Sequence, residues 1–222
     1  MHWKSALAPS IRGKPRAHTS LLFFVLLLSM AAVFASNSQA IPAADEPAHA
    51  SFLSRLSQAA AARAQLPVRY VSAYVKLAYP GGDVPPGTGV CTDEVIRSYR
   101  AVGIDLQKEV HEDMVKNLTA YPLHGRRADA NIDHRRVPNL QKFFERHGES
   151  LPISHAVTDY HPGEIVAWDL NGRYTHIGIV VAPAGYGGRP MILHNIGEGP
   201  KIEDVLFAWK IIGHYRYFGP ER

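Results

Sequence analysis

The hydrophobic pattern of this chain changes between His147 and Glu164, and this change limits the fold more than any other feature. Before it, apolar residues recur at helical spacing. The pattern predicts helices over residues 52–65, 91–102, 105–118 and 138–147. Ser51 and Asp105 are candidate caps for two of these helices, and Pro138 suits the first turn of the last one.

After Glu164 the apolar residues form short runs that are typical of strands. These runs predict strands over residues 164–168, 176–181, 191–194 and 211–218. Short connections such as Asn171-Gly172 favour antiparallel pairing. Helices followed by strands predict an α+β domain rather than alternating βαβ units.

The first 40 residues are typical of a secretory signal. Four basic residues precede an apolar run from Leu21 to Ala35, and Ser38-Gln39-Ala40 forms a candidate cleavage site with cutting after Ala40. The run has 15 residues, fewer than the roughly 20 that span a bilayer. The pattern therefore predicts an exported, periplasmic protein, with an uncleaved N-terminal anchor as the alternative.

The net charge of +4 belongs to the signal segment. The chain has 24 Lys and Arg against 20 Asp and Glu, and residues 1–40 hold four basic and no acidic side chains. Subtracting these leaves 20 of each sign, so overall basicity does not indicate nucleic-acid binding. We expect a tether at 41–50, one monomeric domain over 51–222, and membrane contact only through the signal before its cleavage.

The chain contains one cysteine, Cys91. Exported proteins use cysteine mostly in disulfide pairs, so a lone one is a buried hydrophobe, an intermolecular link or a working thiol. A loop over residues 79–89, too rich in Gly and Pro for helix or strand, leads to Cys91 at a predicted helix start. Backbone N–H groups and the helix dipole at that position favour a thiolate and predict a lowered pKa.

Two histidines occupy the ends of predicted strands. His176 opens one apolar strand and His194 closes the next. If the two strands are neighbours the imidazoles can meet, one accepting the thiol proton and the other orienting it. The alternative is that each histidine is part of the core.

Two blocks of the sequence resemble the NlpC-type cell-wall peptidases of the papain-like superfamily. The first block runs from Tyr79-Pro80-Gly81-Gly82 to Cys91-Thr92-Asp93, and the second runs from Pro162-Gly163-Glu164 through the His176 strand to His194. The mature sequence as a whole is similar to an uncharacterised group of exported bacterial proteins, the YijF-like family. The resemblance implies a papain-like fold, with the nucleophile at a helix start packed on a C-terminal antiparallel sheet.

Carried over residue by residue, the resemblance makes Cys91 the nucleophile, His176 the base and His194 its orienting partner. Tyr79 becomes a candidate oxyanion donor beside the Cys91 N–H. The chain departs from the family pattern around the nucleophile, where Val90, Thr92 and Asp93 replace the usual Asp, Ser and Gly. The 84 residues between Cys91 and His176 also indicate an insertion, at about 104–160.

Part of that insertion is a polar stretch, and it is the candidate substrate-binding segment. It contains Asp133-His134-Arg135-Arg136, whose guanidiniums suit the carboxylates of a peptidoglycan stem peptide. Asp93 and Asn195, which flank the candidate catalytic residues, complete the predicted binding set. The alternative is a surface loop whose Asp and Arg side chains pair with each other.

Together these features predict an exported cysteine peptidase or amidase that cleaves an amide bond in peptidoglycan peptide through a Cys-His-His site. Two alternatives stay open: a non-catalytic cell-envelope binding module of the same fold, and a papain-like enzyme acting on another acyl bond. No cofactor is expected. No metal is expected either, because Cys ligands and a two-His helix spacing are both missing.

Overall fold

The computed structural model describes residues 46–122 and 127–220, and the fold is given for these residues. The signal segment and its cleavage site after Ala40 lie outside them, so export stays a prediction. Within the described ranges no helix is both long and apolar enough to cross a bilayer.

Four α-helices precede the sheet, close to the predicted positions. They are α1 (Glu46–Arg63), α2 (Cys91–Ala101), α3 (Leu106–Lys116) and α4 (Val137–His147). Helix α1 begins before Ser51 and includes part of the predicted tether. Asp105 caps α3 as predicted, since its carboxylate accepts the Gln107 N–H at 3.2 Å. Pro138 lies in the first turn of α4, where a missing N–H costs no hydrogen bond.

A short parallel pair of strands connects α1 to α2. Strand β1 (Arg69–Tyr70) pairs with β2 (Thr88–Gly89). The prediction that residues 79–89 contain no strand is therefore wrong for the last two of these residues. The Val71 N–H extends the pairing by donating to the Gly89 carbonyl at 3.1 Å. This pairing brings Tyr70 beside the segment that leads to Cys91.

The second half of the described chain forms a six-stranded antiparallel sheet. Its strands are β3 (Glu149–Ser150), β4 (Ile165–Leu170), β5 (Tyr174–Val181), β6 (Met191–Asn195), β7 (Pro200–Glu203) and β8 (Lys210–Arg216). They lie in the order β3-β8-β4-β5-β6-β7. The four predicted strands are present. The prediction lacks β3, which has two residues, and β7, whose pattern is interrupted by Gly199 and Pro200.

The two faces of the sheet are covered differently. The helices pack on a face that includes Ile177 and Leu193. The opposite face carries a smaller apolar cluster that includes Trp168 and Leu206. The indole N–H of Trp168 donates to the Leu206 carbonyl at 2.8 Å. Alternation along β5 therefore directs neighbouring side chains to different clusters.

The α+β prediction is confirmed, with a cysteine at a helix start and an antiparallel sheet after the helices. The segment predicted as an insertion is part of the main core. Leu106 and Val110 of α3, and Leu140 and Phe144 of α4, are fully buried there. Helices α3 and α4 therefore contribute to the stability of the domain.

Candidate active site

Cys91 is the first residue of α2, as the sequence predicts, and its side chain is buried. The N–H of Val90 donates to Asp93 Oδ2 at 2.7 Å, and Asp93 thereby closes the first turn as a capping carboxylate does. The backbone N–H groups of Thr92 and Cys91 face the sulfur and favour its charged form. The helix start thus presents donors to the thiol.

Burial nevertheless has the largest effect on the pKa of the Cys91 thiol in the free protein. Desolvation raises the pKa of Cys91 to about 12, although the backbone N–H groups of Ile177 and Thr92 lower it. The prediction of a lowered thiol pKa is therefore wrong for this state, because the loss of water outweighs the helix dipole. Any thiolate must form by transfer of the proton to a base.

His176 and His194 meet, as predicted from their positions on neighbouring strands. The Nε2 atom of His176 lies 2.9 Å from the Nδ1 atom of His194, and both side chains are buried. The rings of Trp168 and Trp209 lie 5.8 Å from the His176 ring. Burial, with a smaller effect from His194, lowers the pKa of His176 to about 3, so its imidazole is neutral at rest.

The histidine pair continues to a carboxylate that sequence reasoning missed. His194 Nε2 lies 2.9 Å from Glu203 Oε2 on β7. An ionised carboxylate only accepts hydrogen bonds, so His194 Nε2 carries a proton and its neutral Nδ1 accepts from His176 Nε2–H. This order leaves the Nδ1 atom of His176 unprotonated. The only sequence signal for Glu203 is the short alternation of polar and apolar residues over Lys201, Ile202 and Glu203.

Cys91 meets the sheet where β5 and β6 separate. The register between these strands runs from the pair Val181 and Met191 to the pair Ile179 and Leu193. The N–H of Ile177, two residues further along β5, faces the Cys91 sulfur. The sulfur therefore lies beside the residue that follows His176. Within the described ranges the thiol and the imidazoles share no hydrogen bond.

A cavity of about 300 Å³ opens at the start of α2 and includes Tyr70, Cys91 and Thr175 in its wall. Tyr70 is close enough for the charge of Cys91 to raise its pKa, after the larger effect of burial. Tyr79, the predicted oxyanion donor, lies elsewhere: its hydroxyl donates to Glu112 at 3.3 Å. The prediction for Tyr79 is therefore wrong, and Tyr70 is the tyrosine at the cavity. No sequence motif marks Tyr70, because only the pairing of β1 with β2 brings it there.

Asp93 and Arg135 bind each other rather than a ligand. The Arg135 Nε and Nη2 atoms donate to the two Asp93 carboxylate oxygens at 2.8 and 3.0 Å. Arg135 Nη1 donates to the Ala73 carbonyl, and Thr92 Oγ1 donates to the Arg135 carbonyl, both at 3.2 Å. The prediction that Asp93 and Arg135 bind substrate is wrong, because both groups are buried and already paired.

Asp133 and His134 are also buried. Asp133 Oδ2 lies 2.8 Å from His111 Nδ1 and accepts the Asp129 N–H at 2.8 Å. Burial, followed by the charge of Arg135, lowers the pKa of His134 to about 4. Both side chains are therefore buried inside the polar segment, which contradicts their predicted role in substrate binding.

Arg136 and Asn195 have different positions. Arg136 is exposed at the wall of the cavity and makes no ion pair with a described residue. Asn195 is fully buried, and its Oδ1 accepts the Gly197 N–H at 3.2 Å, so it shapes the turn after β6. Of the predicted binding set, Arg136 alone keeps a free charged group at the cavity.

A relative from Escherichia coli (strain K12), called uncharacterized protein YijF, is 47% identical over 197 residues. The aligned region covers 86% of this chain and 96% of the relative.

Two solved structures, of NlpC1 and NlpC2 from Trichomonas vaginalis, are similar at 15% and 16% sequence identity, each with a TM-score of 0.42. The similarity covers 74% and 75% of this chain but 44% and 46% of those chains. This chain therefore spans less than half the length of either one.

A family model described as a domain of unknown function (DUF1287) matches residues 57–217. That range contains the histidine pair, Glu203, and the helix start with Cys91. The chain belongs to the DUF1287 family.

Proposed function

We propose that this protein is a thiol hydrolase that cleaves an amide bond in cell-wall peptide, with Cys91 as nucleophile and His176 as base. The observation that carries the proposal is that the backbone N–H of Ile177 faces the Cys91 sulfur, one residue after His176, whose imidazole is hydrogen-bonded to His194. The pair occupies the Nε2 atom of His176 and leaves Nδ1 as the nitrogen that can accept a proton. The substrate class rests on the resemblance of two sequence blocks to cell-wall peptidases.

In the first step the Cys91 sulfur attacks the carbonyl carbon of the amide as its proton passes to His176 Nδ1. The N–H groups at the start of α2, which point toward the sulfur, are suited to hold the oxyanion, and the Tyr70 hydroxyl is a further donor at the cavity.

In the second step the His176 imidazolium gives its proton to the leaving amine, and a thioester forms on Cys91. Water then attacks the thioester carbonyl, with His176 accepting one proton from it. The carboxylic acid leaves, and the thiol takes the proton back. The resting neutral thiol and neutral imidazole are regenerated.

Arg136 is the residue we assign to substrate recognition. It is exposed at the cavity, whereas the neighbouring Arg135 is committed to Asp93. A guanidinium can bind a carboxylate through two hydrogen bonds, and stem peptides carry several carboxylates. Export through the N-terminal segment, which would bring a monomeric enzyme to peptidoglycan, is part of the same proposal.

A second candidate is a non-catalytic binding module for cell-wall fragments. The observation that favours it is the thiol itself, because burial raises the pKa of Cys91 to about 12 and it has no hydrogen bond to His176. A thiol in that state reacts slowly unless substrate binding changes its surroundings.

The experiment incubates the purified protein with peptidoglycan and identifies the released fragments by mass spectrometry. We expect new amino and carboxyl ends at one peptide bond, and no release by Cys91→Ala or His176→Ala. The matched control is His161→Gln, which changes an exposed histidine and should keep the wild-type rate. Folding of each variant is checked by circular dichroism.

Three results would count against the hydrolase. Release by folded Cys91→Ala would exclude the thiol as nucleophile. Release by His176→Ala at the wild-type rate would exclude His176 as base. Binding of fragments by the wild-type protein without any new ends would select the binding module.

A further inference from the structure

Glu203 is the last member of a chain of hydrogen bonds that leads from the candidate base to solvent. His176 contacts His194, and His194 contacts Glu203, each across 2.9 Å. The two histidines are buried, whereas the Glu203 side chain is 42% exposed. The hydrogen bonds therefore lead from the buried candidate base His176, through the buried His194, to the partly exposed carboxylate of Glu203.

We propose that Glu203 is a positioning residue that acts through His194, holding the histidine pair ready to accept the Cys91 proton. This inference rests on the proposed function. The carboxylate keeps the proton of His194 on Nε2, so that His194 Nδ1 accepts from His176 and the free lone pair of His176 is on Nδ1. It also faces the positive charge that the pair acquires when the thiol proton arrives.

Glu203 also stabilises the positive charge on the histidine pair, and this effect matters because the pair is buried. An imidazolium formed at His176 is enclosed by protein, and the rings of Trp168 and Trp209 supply no full charge. An unpaired charge in such a place is strongly disfavoured. Glu203 offsets it through the hydrogen bond to His194, in the way that a carboxylate stabilises the imidazolium of a Ser-His-Asp triad.

The other charged groups near the pair do not substitute for Glu203. Lys201 lies across from His194 on β7, and its charge opposes protonation of His194. Glu198 pairs with Lys201 and is 80% exposed. Both residues line a cavity of about 280 Å³ together with His194 and Glu203. Glu203 is thus the carboxylate in contact with the pair, and Glu198 is a matched carboxylate at the same rim.

The experiment measures alkylation of Cys91 by iodoacetamide between pH 6 and 9 in the full chain, without any cell-wall substrate. In this reaction the thiol proton passes to His176, the sulfur bonds to the reagent carbon and iodide leaves. For Glu203→Gln we expect the rate at pH 7 to fall about tenfold, which corresponds to a change of one unit in the basicity of the pair. Glu203→Asp should restore part of the rate, and Glu198→Gln should leave it within about twofold of wild type.

A spectroscopic measurement separates positioning from a general change in packing. In ¹⁵N spectra at pH 8 we expect His194 of the wild type to carry its proton on Nε2, in a strong hydrogen bond. In Glu203→Gln the resonance of that proton should move upfield, while in Glu198→Gln it should not. Unfolding curves confirm that each variant is folded.

Two outcomes would overturn the proposal: a Glu203→Gln variant that alkylates at the wild-type rate, or an equal decrease in Glu198→Gln. Neither readout requires hydrolysis. If the wild type releases nothing from peptidoglycan and Glu203→Gln still slows alkylation, the hydrolase fails while the role of Glu203 stands. If peptidoglycan is cleaved and Glu203→Gln behaves as wild type, only the inference about Glu203 fails.

Discussion

Arg135 binds Asp93 through two hydrogen bonds, at 2.8 and 3.0 Å, and both side chains are nearly inaccessible to solvent. Asp93 also accepts the Val90 N–H that precedes Cys91. One buried ion pair therefore ties the polar segment before α4 to the helix start of the candidate nucleophile, across 42 residues of sequence.

Replacing Arg135 with methionine should destabilise the protein, because Asp93 is then left buried without its positive partner. Breaking a buried pair in this way costs about 3–5 kcal/mol. We expect urea unfolding to show a loss of that size in Arg135→Met. The adjacent Arg136→Met, which alters an exposed side chain, should change the free energy of unfolding by no more than about 0.5 kcal/mol. Equal losses in the two variants would contradict the burial of the pair.

Tyr70 and Tyr79 offer a direct comparison of the residue at the cavity with the one that the sequence suggested. Under the hydrolase proposal, Tyr70→Phe removes a donor near the oxyanion and should lower kcat/KM by roughly tenfold or more. Tyr79→Phe removes a hydroxyl that contacts Glu112 and should leave the rate unchanged. The rates of fragment release from peptidoglycan test both expectations. A larger loss in Tyr79→Phe than in Tyr70→Phe would reverse the assignment.

His134 should make the protein less stable in mild acid. Burial lowers its folded-state pKa to about 4, below the value of about 6.5 in an unfolded chain. As the pH falls below 6.5, His134 is protonated in the unfolded chain but not in the folded protein. The free energy of unfolding therefore decreases until the pH reaches the folded-state pKa. Between pH 8 and pH 5 this loss amounts to about 2 kcal/mol.

The test for His134 is the variant His134→Leu, which cannot titrate. Its free energy of unfolding should fall by about 2 kcal/mol less than that of the wild type between pH 8 and pH 5. Urea unfolding at the two pH values measures the difference. An identical decrease in both proteins would show that His134 does not contribute.

Gly178 allows β5 and β6 to approach each other beside the histidine pair. A Cβ atom there would lie 2.7 Å from the Leu193 carbonyl oxygen and 3.3 Å from the His194 Cβ. Gly178→Ala should therefore force β6 and His194 outward, at a cost of about 1–3 kcal/mol in stability. We also expect slower alkylation of Cys91, measured on the folded fraction. Wild-type stability together with wild-type alkylation would contradict the close packing.

Much of this fold could be predicted from local patterns. The periodicity up to His147 identified the helices, and the apolar runs after Glu164 identified four strands, because each pattern depends on residues only a few positions apart. The same local reasoning placed Cys91 at a helix start, and it placed His176 and His194 on strands that turned out to be neighbours. Strands β3 and β7 could not be predicted in this way, because β3 has two residues and β7 is short and begins at Pro200 after Gly199.

Local patterns did not identify the partners within the site. From the sequence Arg135 is a candidate for ligand binding, but in the structure it is paired with Asp93. Tyr79 is nearer than Tyr70 to Cys91 along the sequence, yet Tyr70 is the tyrosine at the cavity. Glu203 gave no motif at all. Each of these depends on contacts between distant segments, which strand order and burial decide.

By itself, then, the sequence determined the α+β class, the position of the lone cysteine and the two strand histidines, since helical and strand periodicity are local properties. The tertiary structure alone decided which side chains share the site and which charges are already neutralised. The physical reason is that pairing and desolvation arise only when the sheet and helices pack, and the same packing keeps the Cys91 thiol protonated at rest.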